Sequence, residues 1–152
     1  MFNGVDPKEV AYIIHSIFIN LTPDLRTKKN PTKEKVPMYG YCYVASEAFY
    51  HMIAKKMGFR PYRARDAFGE MHYWLGTQSP KSILHMMLDL TEQQYIAQGV
   101  KFDYTKGRRC AFLTKQPSKR ARRLIARARK TMKELIHVQT KRSARTTQEV
   151  PK

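Results

Sequence analysis

Three side chains able to do covalent chemistry together stand in one stretch of this chain: Cys42, His72 and Asp89. A thiol attacks as its thiolate, an imidazole can carry the proton, and a carboxylate can fix the imidazole's tautomer and orientation. Cys42 ends a polar, proline-rich stretch and opens an apolar periodic one, which puts it at the start of a predicted helix. Unpaired N–H groups and the positive end of the macrodipole favour a thiolate there. His72 follows thirty residues later in a strand-like run, before Tyr73-Trp74-Leu75. Asp89, seventeen residues further on, closes the next strand-like run ahead of Leu90-Thr91. Neighbouring antiparallel strands can set an Asp beside a His, so the pattern fits a nucleophile, a proton carrier and an orienting acid. Each residue also has an ordinary meaning on its own. Cys42 shares a face with Ala45 and Phe49 as a small core residue, His72 beside Trp74 is a core histidine, and Asp89 before Thr91 is a helix-capping residue.

The elements that must position these groups follow from apolar spacing. Val10, Ile13, Ile14, Ile17 and Leu21 give a helix over 7–21. Pro23, Pro31 and Pro37 keep 22–40 from forming a long helix, and a connection of that length is often functional. Cys42, Ala45, Phe49, Met52 and Ile53 form one face of a helix over 41–57, with Glu47, Lys55 and Lys56 pointing elsewhere and Gly58 as the stop. Alternation predicts strands over 59–65 and 70–75, joined by a turn at Ala67-Phe68-Gly69, and a third over 82–90. A short helix over 91–97 takes Thr91 as its cap, 98–116 reads as irregular, and a final helix over 118–138 starts at Ser118. Residues 139–152 carry no apolar period and read as a flexible basic tail. The order gives an α+β fold: a small antiparallel sheet with helices mainly on one face, in a single domain over 1–138.

The runs Gly40-Tyr41-Cys42-Tyr43-Val44-Ala45, Met71-His72-Tyr73-Trp74-Leu75 and Leu88-Asp89-Leu90-Thr91 resemble the core of the transglutaminase-like, papain-like superfamily of cysteine hydrolases. The resemblance covers about residues 38–95 and rests on order, element type and spacing. It implies that the Cys opens a helix, that the His and Asp lie on successive strands, and that the activity is amide or peptide hydrolysis or acyl transfer on a protein or peptide substrate. No Gln precedes Cys42, so the oxyanion donor of the papain pattern is missing. The Cys42 backbone N–H remains as one donor, and a second is unassigned. A looser likeness is to short phage-encoded proteins of unknown function.

The other motifs are weaker. His15, His51, His85 and His137 lack Cys or His partners at zinc spacings, and no phosphate-loop or dinucleotide fingerprint occurs, so no metal and no cofactor is expected. Cys110 follows Arg108-Arg109, whose charge favours a lowered thiol pKa, but it has no His nearby in sequence and ranks below Cys42 as a nucleophile. Two cysteines are too few for a disulfide framework, and neither a signal-like start nor a membrane-length apolar run is visible, so a cytoplasmic setting with reduced thiols is expected.

Charge is the strongest compositional feature. The formal net charge is +17, and residues 117–152 hold 12 Lys/Arg against Glu134 and Glu149. On the final helix, Lys119, Arg120, Arg122, Arg123, Arg127, Arg129 and Lys130 surround an apolar stripe of Ala121, Leu124, Ile125 and Ala128. Such a one-sign surface fits a polyanion, with nucleic-acid phosphates bound without sequence preference as the first candidate, and an acidic protein or anionic membrane surface as alternatives. Two function classes follow: a cysteine-dependent hydrolase or acyltransferase, and a non-enzymatic basic nucleic-acid-binding protein in which Cys42 is structural.

Overall fold

Asp6 accepts a hydrogen bond from the Lys8 N–H and Pro7 opens the first turn, which together start α1 (Pro7–Ile19). The structure, a computed structural model, describes residues 4–80 and 83–148. Asn20 ends α1 two residues before the expected boundary, and its amide donates to the Ser16 carbonyl and to Thr131 Oγ1 of the last helix.

The proline-rich connection holds only two short 3₁₀ turns, Pro23–Leu25 and Pro31–Lys33. It is nevertheless tied down at both ends. The Thr27 N–H donates to the Gly40 carbonyl at 2.9 Å. Lys33 and Tyr39 reach Glu70 on the turn between the first two strands. Gly40 has φ +82, and a Cβ there would lie 2.7 Å from the Lys28 carbonyl oxygen, so only glycine lets the connection close over the start of the next helix.

That helix is α2 (Cys42–Phe49). The helix expected to continue to residue 57 instead widens into a π turn over Tyr50–Ala54. Glu47 is also corrected: it does not point away from the apolar face but is fully buried. Strands β1 (Arg60–Arg65) and β2 (Met71–Gly76) pair antiparallel from Arg60↔Gly76 to Arg65↔Met71. The turn between them closes with the Asp66 N–H donating to the Glu70 carbonyl and with Gly69 at φ +79, as the alternation predicts.

The third strand is much shorter than expected. β3 (Met87–Leu88) pairs only with Leu75 and Gly76, and Ser82 lies outside the described residues. Ile83 and Leu84 are exposed and lie outside the strand, because the chain folds into a loop pinned by His85 Nδ1 at the Gln78 carbonyl and by the Met86 N–H at Thr77 Oγ1. Next comes α3 (Gln93–Ile96), whose N-cap is Glu92 and not Thr91. Within the stretch read as irregular lie a 3₁₀ turn over Tyr104–Lys106 and β4 (Arg108–Arg109), which pairs with β1. The four strands form one antiparallel sheet in the order β3-β2-β1-β4.

The last helix, α4 (Lys119–Gln148), begins as expected, with Ser118 Oγ accepting from the Ala121 N–H. It does not stop at residue 138. No Gly or Pro interrupts the chain before Pro151, and Thr140, Thr146 and Thr147 bond back to carbonyls four residues earlier, so the helix runs through much of the expected tail.

The fold is α+β, with a small antiparallel sheet and a C-terminal helix packed on α1 and α2. Apolar residues of α1, α2 and α4 form the main core with Phe59, Leu75 and Leu90. Trp74 points the other way, as strand alternation requires, into a second cluster with Tyr62, Ala64, Tyr95 and Phe102. Among the described residues no helix is long and apolar enough to cross a membrane.

Candidate active site

Cys42 occupies the first position of α2, where Tyr41 provides no side-chain cap for the exposed N–H groups. β3 covers only the far end of β2, so the outer edge of β2 is free at Tyr73. Helix α2 takes that edge: Ser46 Oγ donates to the Tyr73 carbonyl at 3.4 Å, and the Tyr73 N–H acts on the Cys42 sulfur. The thiol thereby comes near enough to the His72 imidazole to be lowered by it. Cys42 and His72 are 1% and 0% exposed.

His72 and Asp89 are joined at 2.6 Å between Nε2 and Oδ2, with the Asp89 side chain 1% exposed. Every oxygen of Asp89 is engaged. Tyr104 donates its hydroxyl to Oδ2 at 2.7 Å, while the Thr91 N–H and hydroxyl donate to Oδ1 at 2.9 and 3.1 Å. Asp89 thus holds His72 through Oδ2 and the Thr91 turn through Oδ1, but it does not cap α3, whose N-cap is Glu92. Trp74, Tyr95 and Phe102 wall the imidazole, with ring centroids 6.0, 4.9 and 4.7 Å away. In such a dry setting a charged hydrogen bond is stronger than in water.

The electrostatics follow from this enclosure. Burial alone would drive His72 down, but the bond to Asp89, and then the Cys42 thiol, raise it to about 9. Burial would push the Cys42 thiol up; the His72 imidazole, helped by the Lys28 charge and the Tyr73 N–H, overcomes this and holds it below the ordinary thiol value. Asp89 is held down against its own burial by His72, Tyr104 and the Thr91 N–H. With Nε2 engaged, Nδ1 is the nitrogen left to serve the thiol, and it makes no hydrogen bond among the described residues. A thiolate–imidazolium pair of this kind can attack an electrophilic carbon and return a proton to a leaving group.

A cleft of about 710 Å³ opens beside these residues. It is lined by the chain neighbours of the pair, Tyr43 next to Cys42 and Met71 and Tyr73 on either side of His72. Lys28 belongs to both cleft and thiol: it lines the cleft, donates its ammonium to the Met71 carbonyl, and lends its charge to Cys42.

Two side chains outside the expected set support the site. Tyr104 sits in a stretch with no period, so nothing in the sequence marks it. Glu47 on α2 accepts from the Ser118 N–H at 2.8 Å and the Ser118 hydroxyl at 2.6 Å, which clamps the start of α4 to the helix that carries Cys42. Its only signal is an acid five residues after the Cys in an otherwise apolar helix.

The seven basic residues of α4 do not form one face. Lys119, Arg120 and Arg123 line the cleft, whereas Arg122 and Arg129 line a hollow on the opposite flank with His51 and Ile125. Arg123 and Arg127 pair with Asp24 at 2.9 and 3.2 Å, so their charge is partly used within the molecule. Thr22, with these arginines, holds Asp24 far below the usual carboxylate range. Lys130 is exposed. Cys110 corrects an expectation: burial raises its thiol despite the adjacent Arg108 and Arg109, and Arg63 of β1 offsets this only in part. No protein-family model, curated protein or solved structure matches the chain.

Proposed function

We propose that the protein is a cysteine-dependent amide or peptide hydrolase or acyltransferase of the transglutaminase-like kind. The observation that carries this reading is the buried His72–Asp89 pair at 2.6 Å acting on a helix-start thiol that it holds below its ordinary pKa. The Cys42 thiolate attacks a carbonyl carbon, a C–S bond forms, and the Cys42 backbone N–H faces the developing oxyanion. The tetrahedral adduct collapses, the C–N bond breaks, and the departing amine takes the proton of the His72 imidazolium. A thioester is left on Cys42. Water, or an acceptor amine, then adds to it while His72 takes the proton, and the thiolate leaves. Asp89 keeps the imidazole oriented throughout. The test is labelling by a small thiol-directed acylating reagent across pH in wild type and Cys42→Ala. A site that turns over releases product from the wild type and none from the variant; equal, unactivated labelling of Cys42 and Cys110 would sink the reading.

A second reading, polyanion binding by α4, is favoured by the length of that helix, which carries exposed Lys133, Lys141, Arg142 and Arg145 beyond the basic residues of its first turns. If nucleic-acid phosphates are the partner, affinity is similar for unrelated sequences. It falls by roughly 0.9 log units per log unit of salt for each duplex phosphate contacted. Arg122→Gln and Arg129→Gln together flatten that slope, whereas Cys42→Ala leaves it unchanged.

A further inference from the structure

The substrate class is written in the walls of the cleft beside Cys42. Its charged lining comprises Lys28, Lys119, Arg120 and Arg123 against Asp24 alone, and Asp24 is already occupied by Arg123 and Arg127. Lys119 and Arg120, in the first turn of α4, are exposed and form no ion pair among the described residues. The remaining walls include Tyr43, Tyr73 and Leu113, surfaces that suit side chains of a polypeptide. We infer that the cleft takes an acidic peptide segment, whose Asp or Glu carboxylates meet Lys119 and Arg120 while its neighbouring carbonyl is presented to Cys42. The inference rests on the proposed thiol chemistry. It favours a peptide over nucleic acid here because a thiolate acting on an acyl carbon needs a carbonyl substrate, which a phosphodiester backbone lacks. Lys28 makes the connection concrete: among the described residues, a side chain that both lines the cleft and acts on the thiol is cationic. The α4 wall is held in place relative to Cys42 by the Glu47–Ser118 clamp.

The experiment uses three peptidyl acyloxymethyl ketones that differ only in carrying Glu, Gln or Lys at the flanking positions. In each, the Cys42 thiolate forms a C–S bond at the methylene carbon as the C–O bond to the carboxylate breaks, so labelling rate reports productive docking. At low salt the Glu probe is expected to label Cys42 about tenfold faster than the Gln probe, with the Lys probe slowest and the differences shrinking as salt rises. Lys119→Gln with Arg120→Gln should bring the Glu and Gln rates within about twofold of each other, while Lys101→Gln, outside the cleft, keeps them apart. Equal rates for the three probes, or a preference that survives the double variant, would overturn the inference.

Failure of the underlying chemistry looks different. It appears with chloroacetamide, which carries no charge, as no preference for Cys42 over Cys110. In that event the cleft is tested without chemistry, by the fluorescence anisotropy of a Glu-rich peptide on Cys42→Ala protein. Binding that is lost in the double charge variant supports the cleft, and absence of binding overturns it. A duplex oligonucleotide that displaces the Glu probe when an unlabelled Glu-rich peptide does not would assign the cleft to phosphate instead.

Discussion

The two cysteines differ in nearly everything that governs thiol chemistry. Cys42 is the more buried and has no basic residue beside it in sequence, yet its thiol is lowered. Cys110 follows two arginines and is only half-buried, yet its thiol is raised. The difference lies in the partners that folding supplies. At Cys42 a helix start, an imidazole locked to a carboxylate and a lysine converge, whereas Arg108 and Arg109 extend from an exposed edge strand into solvent. Charge adjacent in sequence counts for little when water screens it, and a single aligned partner in a dry setting counts for much.

The contrast can be erased most completely by His72→Ala. Without the imidazole the Cys42 thiol returns to its ordinary range or above it, where at pH 6.5 only about 1% is thiolate. Chloroacetamide labelling of Cys42 at that pH should then fall by about 100-fold, with Cys110 unchanged, as peptide mapping by mass spectrometry would show. If Cys42 keeps its rate, the imidazole has no hold on the thiol.

A pH profile of the wild type sharpens the same difference. Labelling of Cys42 should rise well below the ordinary thiol value of about 8.5. A second change is expected near pH 9, where the raised imidazolium loses its proton and its hold on the thiolate. Cys110 should show one rise, above the ordinary value, since burial is the larger influence on it. Superimposable profiles for the two thiols would remove the distinction.

Tyr104→Phe probes the outermost link of the chain. Asp89 loses one of its donors, worth about 1 kcal/mol, so Cys42 labelling should slow by roughly two- to fivefold while Thr91 and His72 keep their bonds to the carboxylate. Rescue of the rate by raising the pH would identify an effect on ionisation, and failure of such rescue would point to a distorted site. The smallest effect belongs to Arg63→Gln, which removes a cation that offsets burial at Cys110. The Cys110 rate should drop by less than about twofold, with Cys42 untouched.

Much of this arrangement was legible in the chain, because periodicity reports what is locally amphipathic. The strands holding the Pro61–Leu75 pair, the turn at Gly69 and the cap at Ser118 each follow from short-range chemistry. The departures come from long-range contacts. A π turn inserts an extra residue per turn without changing which residues are apolar, so the widening at Tyr50–Ala54 leaves no trace in the pattern. Glu47 looks like a solvent residue until Ser118, 71 positions later, supplies its donors. The shortness of β3 is the most consequential departure. A full strand over 82–90 would have covered the edge of β2 at Tyr73, which is where α2 brings Cys42 to His72. Of the site itself, Cys42, His72 and Asp89 were readable, while Tyr104 and Lys28 were not, since neither lies in a periodic segment.

The length of α4 has a further consequence. At 1.5 Å per residue its 30 residues span about 45 Å. Its first three turns are anchored by buried Ala121, Leu124, Ile125 and Ala128, whereas beyond Met132 the described residues show a hollow against α1 and the Tyr12–Gln139 bond, with no buried side chain. Amide hydrogen exchange should therefore grade along a single helix, from protection near that of global unfolding at Leu124 to rapid exchange past residue 140. The helix is thus held at its head, and its outer turns carry the exposed Lys141, Arg142 and Arg145 on its least protected stretch.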